Sequence, residues 1–218
     1  MGVHFAGTIS PLLIALSLAA CSTGSGPPAS TSPASNLQRL NADGTPYSGS
    51  GDFAREPWTC VRDRDTGLVW EIKDPAGGLH GRDNTYTWHD TDELAHKGDP
   101  GVIDGGTCIG SRCDTAGLAA AVNAEALCGF DDWRLPDQKE IATLNDPNAA
   151  APGPTIASAQ FPTVLAEQYW TRESHLYYPG AWAWSFRYGH NQVDWKYTPK
   201  RAVLVRGQAQ VALARPKD

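Results

Sequence analysis

His89, Asp90, Asp92, Glu93 and His96 crowd into one short stretch, and imidazoles and carboxylates are the side chains that hold zinc. Their order matches neither the helical H-E-x-x-H arrangement nor another ligand spacing, so the run reads as a solvated polar loop. Asp99 and Asp104 sit in loops whose oxygens would suit calcium, yet the EF-hand pattern is absent. Arg134, flanked by Trp133 and Leu135 and close to Asp131 and Asp132, reads as a structural ion pair that organises a turn. For nucleophilic catalysis there is no G-x-S-x-G, and a Cys–His enzyme would need a cysteine left free. No catalytic residue, metal or cofactor is therefore assigned.

The chemistry that remains is binding. Residues 167–218 carry eight lysines and arginines against four acids, a net +4, which leaves −10 for the rest of a chain whose total is −6. With that total, nucleic acid is not an expected partner. The same basic end is rich in Trp and Tyr, and aromatic faces with interleaved cations suit sugar rings and their sulfate or carboxylate groups. Trp182 and Trp184 alternate with small residues and read as core. Tyr177, Tyr178, Arg187, Tyr188, Trp195 and Lys196 are the expected ligand-binding set, for an anionic or neutral glycan.

Positioning these side chains requires a mixed α+β domain. Asp65-Thr66-Gly67 separates Cys60-Val61-Arg62 from Leu68-Val69-Trp70, a hairpin pattern. Asp114 is a good N-cap for a helix with Leu118, Val122 and Leu127 near one face and Gly129 as its stop. Asp137 and Glu140 form a capping-box pattern for a second, short helix that buries Ile141 and Leu144 and ends before Pro147. In Trp182-Ala183-Trp184-Ser185-Phe186 the large rings alternate, which puts all three on one face of a strand. Ala202–Arg206 is a further strand candidate, and Gly98–Asp114 and Ala149–Ala159 read as surface loops.

The chain starts with a different kind of segment. Pro11–Ala20 is apolar, ends in small residues and is far shorter than the roughly 20 residues of a membrane span. Leu18-Ala19-Ala20-Cys21 resembles the lipobox at which bacterial lipoproteins are cut and acylated. Residues 1–20 are thus an expected signal peptide and Cys21 the expected lipidation site, anchoring the chain in a bilayer. Ser22–Ser50, rich in Ser, Pro and Gly, reads as a tether reaching on the order of 30 Å. Residues 51–210 follow as the expected domain and 211–218 as a tail.

Export also decides the reading of the other cysteines. Cys60, Cys108, Cys113 and Cys128 form an even set suited to an oxidising compartment. Three pairings are open. The short Cys108–Cys113 spacing favours a local clip and leaves Cys60–Cys128, with a zinc site as the rival reading.

Asp65-Thr66-Gly67-Leu68-Val69-Trp70, Tyr86-Thr87-Trp88, Cys128-Gly129, Asp132-Trp133-Arg134-Leu135-Pro136, Tyr169-Trp170-Thr171 and Val203-Leu204-Val205-Arg206 occur in that order. Together they resemble the Lcl C-terminal domain family over about residues 57–207. The resemblance implies a C-type-lectin-like fold on a bacterial surface protein; the best-known member is a trimer that binds sulfated glycosaminoglycans, and the family has no established reaction. The Glu-Pro-Asn and Trp-Asn-Asp triplets of sugar-binding C-type lectins are absent from the acidic loops. The expected function is a non-enzymatic, adhesin-like glycan-binding lipoprotein of the cell envelope. Because no acidic residue follows Cys21, the outer membrane is favoured. The alternatives are a structural envelope protein that binds another protein, and an enzyme on a formylglycine-generating type of scaffold.

Overall fold

Asp63 builds the first hairpin. One carboxylate oxygen accepts from the Asp65 amide at 2.9 Å and the other from the Thr66 hydroxyl at 2.7 Å. Gly67 then turns the chain at φ 77°, a conformation that favours glycine. Strand β2, Cys60–Asp63, thereby pairs antiparallel with β3, Val69–Glu71. The computed structural model describes residues 1–4, 36–176 and 179–209, and all of these but the first four belong to one compact unit, Ser32–Asp218. The signal segment and Cys21 lie outside the described residues, as do Tyr177 and Tyr178.

The folded part begins earlier than composition suggests. Within the stretch read as a tether, β1, Leu37–Leu40, pairs with β2. Leu40 is fully buried, so two leucines in a polar background suffice for an edge strand once a partner strand is present.

Helix α1, Glu93–His96, is a single turn capped by Asp92. Helix α2, Thr115–Ala124, starts on the Asp114 carboxylate, which accepts from the Gly117 amide at 2.8 Å. It stops at Ala124, short of Gly129, because Ala126 turns left-handed at φ 53° and a 3-10 turn, Leu127–Gly129, follows. The capping box forms on α3, Gln138–Ala142, with both reciprocal bonds present, and that helix ends well before Pro147. Among the described residues no helix is long and apolar enough to cross a membrane.

The last third supplies β4, Gln168–Ser174, β5, Gly180–Ser185, and β6, His190–Trp195, an antiparallel sheet in the order β4-β5-β6. Of the expected strand Ala202–Arg206, only β7, Val205–Arg206, is regular. It completes a second sheet in the order β1-β2-β3-β7, and the arrangement is α+β.

Both sheets lie between two apolar clusters. One gathers Tyr86, Trp88, Leu118, Val122 and Trp170; the other gathers Trp70, Ile141, Phe161, Trp184 and Phe186. Strand alternation sends Val69 to the first and Trp70 to the second, and Ala183 to the first and Trp184 to the second.

Disulfides join Cys60 to Cys128 and Cys108 to Cys113. The first ties β2 to the end of the α2 segment; the second clips the loop ahead of α2.

A charged knot is buried beside β3. Glu71, its side chain wholly inaccessible, faces Lys73 at 2.8 Å and His80 at 2.7 Å, and its other oxygen accepts from the Leu204 amide at 2.9 Å. His80 also reaches Glu125. Burial alone would raise the Glu71 pKa, but Lys73 and His80 outweigh it and hold the carboxyl at about 2.

Candidate ligand-binding surface

Strands β5 and β6 carry an aromatic face out of the core into solvent. Tyr169 pairs with Trp184 and Trp182 with Val193, so these residues lie on the same face as the second cluster. Trp184 and Phe186 are covered. Further along, Trp182 is only half-buried, with His175 edge-on to it at 5.6 Å. Val193, Trp195 and Tyr197 follow at alternate positions, with Trp195 42% and Tyr197 58% exposed. Their two rings lie nearly parallel, 10° apart in plane and 6.0 Å between centroids. Gly180, opposite Trp195 in the register, carries no side chain, and a hollow of about 260 Å³ opens between Gly180, Val193, Asp194 and Trp195.

Of the expected ligand set, Arg187, Tyr188 and Trp195 are exposed. Tyr188 stacks on His190 at 6.1 Å, and the Arg187 guanidinium lies 5.8 Å from the Tyr188 ring. Lys196 does not belong with them. Strand parity turns it inward between Trp195 and Tyr197, and it is 1% exposed. Its ammonium donates to the carbonyls of His96, at 3.2 Å, and Asp99, and lies 4.3 Å from the centre of the Trp88 ring. Burial holds this ammonium below the ordinary lysine range against the pull of Asp99 and Asp90. Tyr197 and Val193, absent from the expected set, take its place; the alternation V-D-W-K-Y was the signal for both.

The basic character of this third is largely spent internally. Lys200 meets Asp194 at 2.5 Å and also Gln168. Arg201 meets Glu167 at 2.8 Å and Asp83 at 3.7 Å. Arg206 grips Asp132 through two bonds of 2.8 and 2.9 Å.

Arg134 has a structural role with a different partner from the one its neighbours suggest. Its fork closes on Glu140 with two contacts of 2.7 Å and also donates to the Gly207 carbonyl. Burial would raise the Glu140 pKa, yet Arg134 and the Asp137 amide keep it low.

The histidine–acid run is dispersed. His89 is buried and its Nδ1 donates to the Pro100 carbonyl at 2.8 Å. Asp92 caps α1, and Asp90 accepts from the Asp92 amide. Among the described residues no three His, Cys, Asp or Glu side chains converge as a metal site would require. Asp104 is exposed, and its carboxylate accepts from the Cys113 amide at 2.7 Å. A cleft of about 650 Å³ opens between Leu94, Ala116, Ala119, Leu135 and Arg172. Of its three acids, Asp90 and Asp92 accept from backbone amides, and Glu173 accepts from the Gln138 amide through Oε1 at 3.0 Å.

No curated protein and no solved structure matches the chain. The family model for the Lcl C-terminal domain matches residues 59–206, from the residue before β2 to the end of β7. With two-thirds of the sequence inside that match, the chain belongs to the Lcl C-terminal domain family.

Proposed function

We propose that this domain is a non-catalytic, C-type-lectin-like binding module that holds a glycan against the exposed aromatic face of β5 and β6. The observation that carries the reading is the solvent-exposed Trp195–Tyr197 pair, whose near-parallel rings continue the sheet face beyond the core. Aromatic faces stack on the C–H face of a pyranose and offer large contact area at little side-chain entropy. The reading includes an exported chain anchored through acylated Cys21, which would display the face outside the cytoplasm.

One alternative is less well supported: an enzyme of the formylglycine-generating kind needs a reactive thiol, and Cys60, Cys108, Cys113 and Cys128 are all in disulfides. The other, a structural envelope protein that binds another protein through the same aromatic face, is separated from the glycan reading by the array below; a partner that instead added a strand to β6 would need its free backbone groups. On that edge the Trp195 amide is held by the Asp194 side chain at 2.8 Å, and the Asn191 carbonyl lies 3.1 Å from the His190 ring.

The test is a glycan array probed with the full chain, followed by titration of any hit against Trp195→Ala and Tyr197→Ala. Each substitution should weaken binding about tenfold while unfolding stays within about 0.5 kcal/mol of the parent, as for exposed sites. Equal binding by parent and both variants would remove the site from this face. For the anchor, Cys21→Ser should move the chain from the membrane to the soluble fraction. A variant that still sediments with membranes would refute acylation.

A further inference from the structure

We infer that His80 is a charge-dependent latch: as an imidazolium it ties the C-terminal end of α2 to β3 and closes the loop of residues 74–82, and on losing its proton it lets α2 go. Both ring nitrogens face carboxylates. Nδ1 lies 2.7 Å from Glu71 Oε1, and Nε2 is hydrogen-bonded to Glu125. An ionised carboxylate only accepts, and a neutral imidazole has a single N–H. The two contacts together therefore need a ring protonated on both nitrogens; with one proton gone, one contact sets lone pair against lone pair. Burial works against that proton, as does the Lys73 ammonium, but Glu71 and Glu125 outweigh them and raise the His80 pKa. Tyr86, which senses Glu71, is held by burial well above its ordinary range and stays uncharged. Arg112, in the clip loop whose Gly110 abuts Leu79, is turned to Asp114.

The two contacts are unequal, so release has a direction. Glu71 is wholly inaccessible and keeps Lys73 and the Leu204 amide whatever the state of the ring. A neutral His80 still donates to it through Nδ1. The Glu125 side chain is 41% exposed and has no other partner among the described residues. It stands at the C-cap of α2, where the unpaired carbonyls of a helix end disfavour a carboxylate. His80 is thus the group that holds it there. Beyond Glu125 the backbone is in a conformation that favours glycine, since Ala126 and Cys128 both adopt φ of 53°. On the other side of the latch, Leu79 packs on the first apolar cluster while the space beside Gly77 and Gly78 is open. Losing the Glu125 contact therefore loosens residues 124–129 and the loop 74–82 and leaves both sheets in place. Because the folded pKa is raised, the latch is closed below 6.5 and opens as the pH climbs through the folded value.

The experiment is amide hydrogen exchange of the full chain, disulfides intact, at about pH 6 and about pH 9, corrected for the intrinsic rise of exchange with pH. Protection of residues 74–82 and 124–129 should fall about tenfold between the two, while β4 and β5 keep theirs. Glu125→Gln puts a neutral partner on an exposed side chain and should abolish the pH dependence of both segments. Nitrogen NMR of the ring should find both nitrogens of His80 protonated at about pH 6. The latch is overturned by equal protection at the two pH values, by a loss shared with every strand, by a pH dependence that survives Glu125→Gln, or by a singly protonated ring at the lower pH.

Discussion

Replacing Glu71 by glutamine keeps the shape of a fully buried side chain and removes the charge that Lys73 and His80 were placed around. The amide nitrogen then presents hydrogens either to the Lys73 ammonium and His80 or to the Leu204 amide, each of which is itself a donor. A fall in the Glu71 pKa from 4.5 to about 2 corresponds to about 3 kcal/mol of folding free energy at neutral pH. Leaving Lys73 buried without its partner costs a similar amount. At roughly 2–4 °C per kcal/mol for a domain of this size, the variant should melt about 6–12 °C below the parent. The pH dependence is more diagnostic. Because the folded pKa is depressed, the stabilisation is complete above 4.5 and is lost as the pH falls towards about 2. The two proteins should therefore converge in acid. His80 acts in the opposite sense. Its pKa is raised despite burial, by Glu71 and Glu125, so its contribution is full below 6.5 and fades as the pH rises through the folded value. Urea unfolding from pH 2 to 8, disulfides intact, measures both effects. A variant within 1 kcal/mol of the parent at pH 7, or two parallel stability curves across the acid range, would refute the role given to this knot.

Removing the Cys60–Cys128 bridge by paired alanines should cost about 4 kcal/mol in the chain-entropy model, since it closes a separation of 68 residues. The same change at Cys108–Cys113, a separation of 5, should cost about 2 kcal/mol; non-reducing urea titrations that rank them the other way would contradict this. Trp184→Ala, at a site 5% exposed in the second core, should destabilise by about 3–5 kcal/mol. That places it opposite Trp195→Ala, which is expected to leave unfolding almost unchanged.

The parts of this fold legible in the sequence are those set by local rules. The Asp63–Gly67 turn, the Asp137–Glu140 capping box and the Asp114 cap each depend on side chains within four residues of the backbone they serve. Long-range partners were not legible. Arg134 stands two residues from Asp132 but closes on Glu140, while Asp132 reaches 74 residues forward to Arg206, because both pairings are made by the fold. Lys196 reads as a surface cation by type. It is interior by parity, since exposed Trp195 and Tyr197 on either side leave it no other direction. Strand β1 was hidden because Leu37 and Leu40 contribute too little apolar pattern to stand out from a Ser, Pro and Gly background.

The Cys60–Cys128 bond also turns the chain between those residues into a covalent ring. The ring contains α1, α2 and several of the most exposed apolar side chains, Leu94, Ile103 and Ile109. A protease attacking those tips cuts the ring once and separates nothing, because both new ends remain joined through sulfur. The nicked molecule would migrate as one species until reductant is added. Strands β4, β5 and β6 lie outside the ring, and a single cut there divides the chain outright. Attrition at the tips is thus survivable, whereas the sheet that bears Trp195 and Tyr197 depends on its own compactness to escape cleavage.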